Sequence, residues 1–150
     1  MDFKIIKAEE KHIEKIGILF DLYRQFYKYE SNLIKSTNYI KDRINNNESI
    51  IFIAINDANE AIGFVQLYET FGSLDLGKII ILDDLYVKED HRKNNIGRKL
   101  MIKSHEYAKK SNAKRIQLST AIDNYIGQSL YESLGYVKDA NSYTYDFEIK

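Results

Sequence analysis

Three apolar runs, residues 50–55, 61–68 and 78–87, follow one another with only polar breaks between them, and they commit the middle of the chain to a sheet. Asp57-Ala58-Asn59-Glu60 supplies the turn between the first two. The third run is interrupted by Asp83 and Asp84. Helical spacing surrounds this block. It appears over 11–29 (Ile13, Ile16, Leu19, Phe20, Tyr23, Phe26, Tyr27), 37–46 (Tyr39, Ile40, Arg43, Ile44), 97–110 (Leu100, Met101, Ile102, Tyr107) and 125–134. Residues 3–8 and 115–120 read as further strands. From Tyr136 the chain runs into the alternation Tyr143, Tyr145, Phe147, Ile149, which predicts closing strands. The order β-α-α-β-β-β-α-β-α-β-β predicts one α/β domain over residues 1–150, a mixed sheet with helices against it.

A chain of 150 residues is long enough to bury a core. It contains no Cys, which excludes disulfides, thiolate metal sites and cysteine nucleophiles. No His, Asp or Glu cluster has metal-ligand spacing, so no metal is expected. The longest uninterrupted apolar run, 50–55, is far short of the roughly 20 residues that span a bilayer. The first ten residues are charged and lack an apolar signal core, so the expected place is the cytoplasm, with no membrane partner. The charges are equal, 22 basic and 22 acidic, but segregated. Residues 88–115 hold ten basic side chains against three acidic ones, leaving a net of −7 for the remainder. Such a field draws an anion to one region and a cation to another. Nucleic acid is not the expected partner, because only 5 of the 22 basic residues are Arg and the acidic remainder repels phosphate.

The basic stretch begins where the third run ends. A strand closing on Leu85-Tyr86-Val87 is followed by a polar loop that includes Arg92-Lys93-Asn94-Asn95-Ile96, and a helix opening at Gly97-Arg98-Lys99. Free N–H groups at a helix start, with the macrodipole, suit a phosphate. Asn94 and Asn95 can take the left-handed conformation that turns successive N–H groups inward, and Gly97 lets a ligand come close to the backbone. The loop is neither a P-loop nor the glycine fingerprint of dinucleotide folds.

Here the chain resembles the Gcn5-related N-acetyltransferases, whose diphosphate loop reads Arg-x-x-Gly-x-Gly. Residues 92–97 match with Asn95 in place of the first Gly. Asn124 after a strand and the segment Leu130-Tyr131-Glu132-Ser133-Leu134-Gly135-Tyr136 match the second half of the pattern. Within the family, Leu82-Asp83-Asp84-Leu85-Tyr86-Val87 and Lys28-Tyr29-Glu30 look most like the diamine (spermidine/spermine) acetyltransferases. The resemblance implies a mostly antiparallel central sheet flanked by about four helices. It also implies an acetyl-CoA-dependent enzyme acting on a primary amine, with a small cationic amine such as a polyamine as acceptor.

By the same resemblance, Arg92, Lys93, Asn94, Asn95, Ile96, Gly97, Arg98 and Lys99 hold the diphosphate. Main-chain groups of Leu85, Tyr86 and Val87 meet the amide arm of the cofactor and the oxyanion, and Asn124 also serves the cofactor. Asp83 is the expected base, Asp84 and Glu30 bind the substrate, and Tyr131 is the proton donor. Strand alternation sends Asp83 and Asp84 to opposite faces, so only one lines the cleft unless the strand bulges. His12 and His105 read as surface or boundary residues, and His91 as a loop residue able to donate to an anion. Without a cysteine or a Ser-His-Asp set, direct transfer in a ternary complex is the expected route. Acetyltransferases of amino acids or of protein amino groups share parts of the pattern, and a non-catalytic acyl-CoA sensor would share the binding loop. Family analogy also allows a homodimer.

Overall fold

The structure, a computed structural model, describes residues 2–150. Five strands form one sheet in chain order: β1 (Phe3–Lys7), β2 (Ile50–Asn56), β3 (Ala61–Gly72), β4 (Gly77–Val87) and β5 (Ile116–Gln117). The first four are antiparallel, and β5 joins β4 in parallel. This is the mixed, mostly antiparallel sheet that the resemblance implied. With it come four α-helices, α1 (Ile13–Phe26), α2 (Leu33–Asn45), α3 (Ile96–Lys110) and α4 (Tyr125–Ser133).

β2 is buried on both faces, and the helices explain why. Ile51, Ile53 and Ile55 pack with Ile16, Leu19 and Phe20 of α1 and Ile40 of α2. Phe52 points the other way by strand alternation and meets Tyr107 of α3, ring centroids 6.0 Å apart. On the α1 and α2 side the helices lie so close that a Cβ on Gly17 would sit 2.3 Å from Oγ1 of Thr37. On the α3 side, a Cβ on Gly63 of β3 would come within 3.2 Å of Ile96 and 3.4 Å of Leu100. The start of α3 is therefore pressed onto the central strand.

Local capping moves two boundaries from their expected places. α2 begins at Leu33 rather than 37 because the Asn32 side chain accepts from the Lys35 N–H at 3.1 Å. α1 follows a single 3₁₀ turn, Glu10–His12, in which His12 Nδ1 accepts from the Glu9 N–H at 2.9 Å. His12 is buried, 9% exposed, deeper than the surface or boundary place expected of it.

The chain divides into two compact units, Met1–Ser119 and Thr120–Lys150. The first holds the sheet, α1, α2 and α3. The second holds α4 and a tail, residues 136–150, that forms no strand. The closing strands predicted from the alternation are therefore absent. Period-two patterning prepares one face for burial but makes no strand without a neighbouring ladder, and Tyr143, Tyr145, Phe147 and Ile149 stay exposed. β5 is likewise two residues long instead of six, because β4 pairs with it only at Ile80–Ile116 and Ile81–Gln117.

Candidate active site

Beyond Ile81, β4 and β5 part company. From Leu82 to Val87 the β4 edge on that side has no strand partner among the described residues, while its other edge stays in register with β3. Leu85, Tyr86 and Val87 pair there with Val65, Phe64 and Gly63. The sequence-predicted main-chain positions thus lie on a strand paired on one side and open on the other. An extended amide chain could add to that open edge.

The same strand carries a bulge. Asp84 faces Gln66 and Leu82 faces Leu67, so Asp83 has no cross-strand partner and its side chain is exposed. Asp84 is 4% exposed, on the face that α1 and α2 cover. It accepts from Nε2 of Gln66 at 2.6 Å, and Gln66, itself wholly buried, accepts from Oγ of Ser49 at 2.8 Å. Burial pushes the Asp84 carboxyl up to about 6; the Gln66 bond opposes the rise and the neighbouring Asp83 charge adds to it.

Phenols surround this carboxylate, a feature the sequence left among 12 interchangeable tyrosines. The Tyr23 hydroxyl donates to the main-chain oxygen of Asp83 at 3.2 Å and also interacts with the Asp84 carboxylate. Burial first, and the Asp84 charge second, push the Tyr23 phenol up, so it remains a proton carrier at neutral pH. Tyr27 is raised by burial and by Asp84 in the same way. Across the face, the hydroxyls of Tyr39 and Tyr68 lie 2.6 Å apart.

Glu30 lies in the turn between α1 and α2, exposed and next to Tyr29. A residue that pattern reading missed holds this turn. Asp21, buried on α1, accepts from Ser31 Oγ (2.6 Å), Ser36 Oγ (2.8 Å), the Asn32 N–H (2.9 Å) and Gln25 Nε2 (3.0 Å). Burial alone would raise its pKa; the bonds, Ser31 foremost, outweigh that and hold it below the usual carboxylate range. Its sequence signal is slight, a lone acid on an apolar helix face.

In the loop, the left-handed residues are Lys93 (φ 66°) and Asn95 (φ 62°). The expectation that Asn94 is left-handed is corrected. Asn94 uses its side chain instead, donating from Nδ2 to the carbonyls of His91 (3.0 Å) and Arg92 (3.3 Å). Left-handed residues on either side of Asn94 turn successive N–H groups to one side of the loop. Asn95 opens α3 and no side chain caps that end. Arg92 donates from Nε to the Val87 carbonyl at 2.9 Å and lies over the rings of Tyr86 and Phe26. Lys99 sits 4.8 Å from the Phe3 ring, Ile96 is buried against the sheet, and Gly97 and Arg98 occupy the first turn of α3. His91 is paired with Asp90 at 2.8 Å.

The second unit holds the remaining two residues. Asn124 caps α4, accepting from the Gly127 N–H at 3.2 Å and donating to Thr120 at 2.9 Å. Tyr131 is half-buried, its ring 6.2 Å from that of Tyr136. Among the described residues no group of three or more His, Asp or Glu could hold a metal ion, and no helix is long and apolar enough to cross a membrane.

Comparison with known proteins agrees with this geometry. A family model described as the acetyltransferase (GNAT) family matches residues 16–136. The uncharacterized N-acetyltransferase YhfO of Bacillus subtilis (strain 168) is 38% identical over 135 residues, 90% of each chain. A thialysine N-epsilon-acetyltransferase of Caenorhabditis elegans is 23% identical over 91% of this chain and 84% of its own. Among solved structures, a probable acetyltransferase superposes with a TM-score of 0.91 at 33% identity, covering 98% of both chains.

Proposed function

The chain belongs to the acetyltransferase (GNAT) family, and on that premise we propose that it passes the acetyl group of acetyl-CoA directly to a primary amine, with a small cationic amine such as a polyamine as acceptor. One observation carries the chemistry. A carboxylate raised to about 6, Asp84, stands on the strand whose open edge leads into the left-handed loop at the start of α3. Acetyl-CoA supplies an activated thioester carbonyl when bound. The loop backbone from Arg92 through Asn95, with Ile96, Gly97, Arg98 and Lys99, fits its diphosphate. The N–H and C=O groups of Leu85, Tyr86 and Val87 fit its amide arm and the developing oxyanion.

An alkylammonium has a pKa of about 10.4, so the acceptor arrives charged. The exposed carboxylates of Asp83 and Glu30, in a region that is acidic outside residues 88–115, favour that cation. The acceptor reacts only as the neutral amine, after giving one proton to solvent; as that nitrogen's lone pair then bonds to the carbonyl carbon, a remaining N–H becomes acidic, and a base near 6 accepts this second proton efficiently at neutral pH. The allocation expected from the resemblance is thereby exchanged. Asp84 is assigned the base and Asp83 the attraction of substrate, because burial acts on Asp84. Since Asp84 is nearly inaccessible, the Tyr23 hydroxyl relays the proton, giving its own to Asp84 as it takes the one from nitrogen. Tyr131 holds the proton for the departing sulfur, and Asn124 acts by capping the helix that carries Tyr131. The reading takes residues 1–150 as one N-acetyltransferase domain of the cytoplasm, with no metal and no nucleic-acid partner. The relative named for acetylating the ε nitrogen of thialysine supports an amine acceptor.

Free-thiol release from acetyl-CoA across polyamines, amino acids, aminoglycosides and lysine peptides tests this reading. Polyamines are expected to react fastest. Faster release with amino acids or peptides would move the acceptor class. Calorimetric uptake of coenzyme A with no thiol release for any amine would leave a sensor, and no uptake at all would overturn the reading.

A further inference from the structure

A wholly buried amide stands at the centre of the sheet. Gln66 of β3 shares a face with Phe64 by strand alternation, and Phe64 belongs to the apolar core that α1 and α2 cover. An amide taken out of water costs free energy unless both of its ends are bonded. Here both are, along a row that crosses three strands. Gln66 Oε1 accepts from Oγ of Ser49, the residue before β2, at 2.8 Å, and Nε2 donates to Oδ2 of Asp84 on β4 at 2.6 Å. Every group in the row belongs to the first unit, residues 1–119.

The row has a polarity. An ionised carboxylate only accepts, so the nitrogen end of the amide must face Asp84 and the oxygen end must find a donor, which is Ser49. Turned end for end, the amide would set Oε1 against Oδ2, two acceptors that repel unless a proton lies between them. The observed setting therefore stabilises the ionised acid over the protonated one. The Ser49 hydroxyl polarises the amide, and Nε2 donates more strongly as a result. With Oδ2 already bonded, a proton delivered through Tyr23 settles on Oδ1. The other ionisable groups around Asp84 are Asp83 beside it, Tyr23 and Tyr27 from α1, and Tyr68 from β3, whose hydroxyl lies against that of Tyr39 from α2. Burial pushes the phenols of Tyr23, Tyr27 and Tyr68 up, so they stay neutral where the carboxyl titrates.

We propose that Gln66, braced by Ser49, is a positioning residue for acetyl transfer: it keeps the buried Asp84 carboxyl ionised at neutral pH and directs the arriving proton to Oδ1. The role rests on the acetyl-transfer reading, but the hold of the row on Asp84 is measurable without any turnover.

Carbon-13 NMR of the purified full chain follows the Asp84 carboxyl, assigned by its absence from Asp84→Asn. Its midpoint is expected at about 6 in the parent. Gln66→Met keeps the length of the side chain and removes the donor. It should move the midpoint up by about one to two pH units, the worth of a charge-assisted hydrogen bond. Ser49→Ala, the milder change, should move it up by a smaller step, and Ser49→Thr should return it. Because Ser49 acts through Gln66, adding Ser49→Ala to Gln66→Met should move it no further. Thiol release from acetyl-CoA with spermidine should follow the same titration. For Gln66→Met it should be roughly tenfold slower than the parent at about pH 6.5 and within about twofold at about pH 9, where the ionised fraction recovers. A midpoint that stays near that of the parent in Gln66→Met, a loss of rate that is the same at every pH, or a Ser49→Ala step that adds to that of Gln66→Met would each overturn the proposal. A shifted midpoint with thiol release from no amine would instead overturn the acetyl-transfer reading and leave the hold of the row on Asp84 standing.

Discussion

Replacing Asp84 by Asn removes a charge that the fold holds at a cost, while keeping an oxygen to accept from Gln66. Burial moves the Asp84 carboxyl from 3.8 to about 6, a rise of about two units. At about 1.4 kcal/mol per unit, the ionised carboxylate destabilises the folded chain by about 3 kcal/mol relative to an unfolded chain in which it is solvated. The sign follows from proton binding. A raised carboxyl holds its proton more tightly in the folded state, so the Asp84 contribution to parental stability is greatest below about pH 4. It falls as pH rises from about 4 to about 6, then levels. Asp84→Asn lacks this fall. Its urea midpoint should match that of the parent near pH 4 and exceed it at pH 7.5 by roughly 1.5 M, for a slope of about 2 kcal/mol per molar. The same variant should lose the limb near pH 6 over which the parent's kcat/KM rises as Asp84 ionises, and with it most of the activity. Gained stability and lost turnover together would mark a group kept for chemistry. Equal midpoints at pH 7.5, or a gain as large at pH 4 as at pH 7.5, would refute the reasoning, because neither is compatible with a buried carboxylate as the source.

Tyr131→Phe is expected to lower kcat roughly 100-fold with coenzyme A affinity by calorimetry little changed, and unaltered turnover would remove Tyr131 from the mechanism. At the left-handed Asn95, Gly should preserve or tighten coenzyme A binding, whereas Val should weaken it about tenfold, since a branched side chain there meets about 1–2 kcal/mol of strain; equal affinities would deny the loop its role. Gly17→Ala places a Cβ 2.3 Å from Thr37 Oγ1, and should lower the urea midpoint by an amount worth about 1–3 kcal/mol despite the better helix former; an unchanged midpoint would show that α1 and α2 separate freely. Asp21→Ala should raise KM for the amine more than it lowers kcat, because Asp21 fixes the turn carrying Glu30 and touches no reacting atom; a kcat loss with KM intact would contradict that.

Much of the molecule was legible in one dimension. Periodicity of two and of 3.6 is a local property, so the strands through residues 50–87 and the helices fell within a few positions of the folded elements. Chain order with short connections then settled the antiparallel neighbours. The loop from Arg92 to Gly97 was readable because its function uses the backbone of contiguous residues, and Asn95 is left-handed as its type allows.

Contacts between distant segments were not readable. The sequence set Asp83 and Asp84 side by side as equals; a one-residue slip against β3 and the cover of α1 and α2 made one solvated and the other a buried acid. Tyr23 stood among 12 tyrosines until folding brought it to Asp84, 61 positions away. The tail shows the converse: its alternation predicted a strand correctly patterned for burial, but a strand exists only where a second backbone offers hydrogen bonds, and no local pattern supplies that partner.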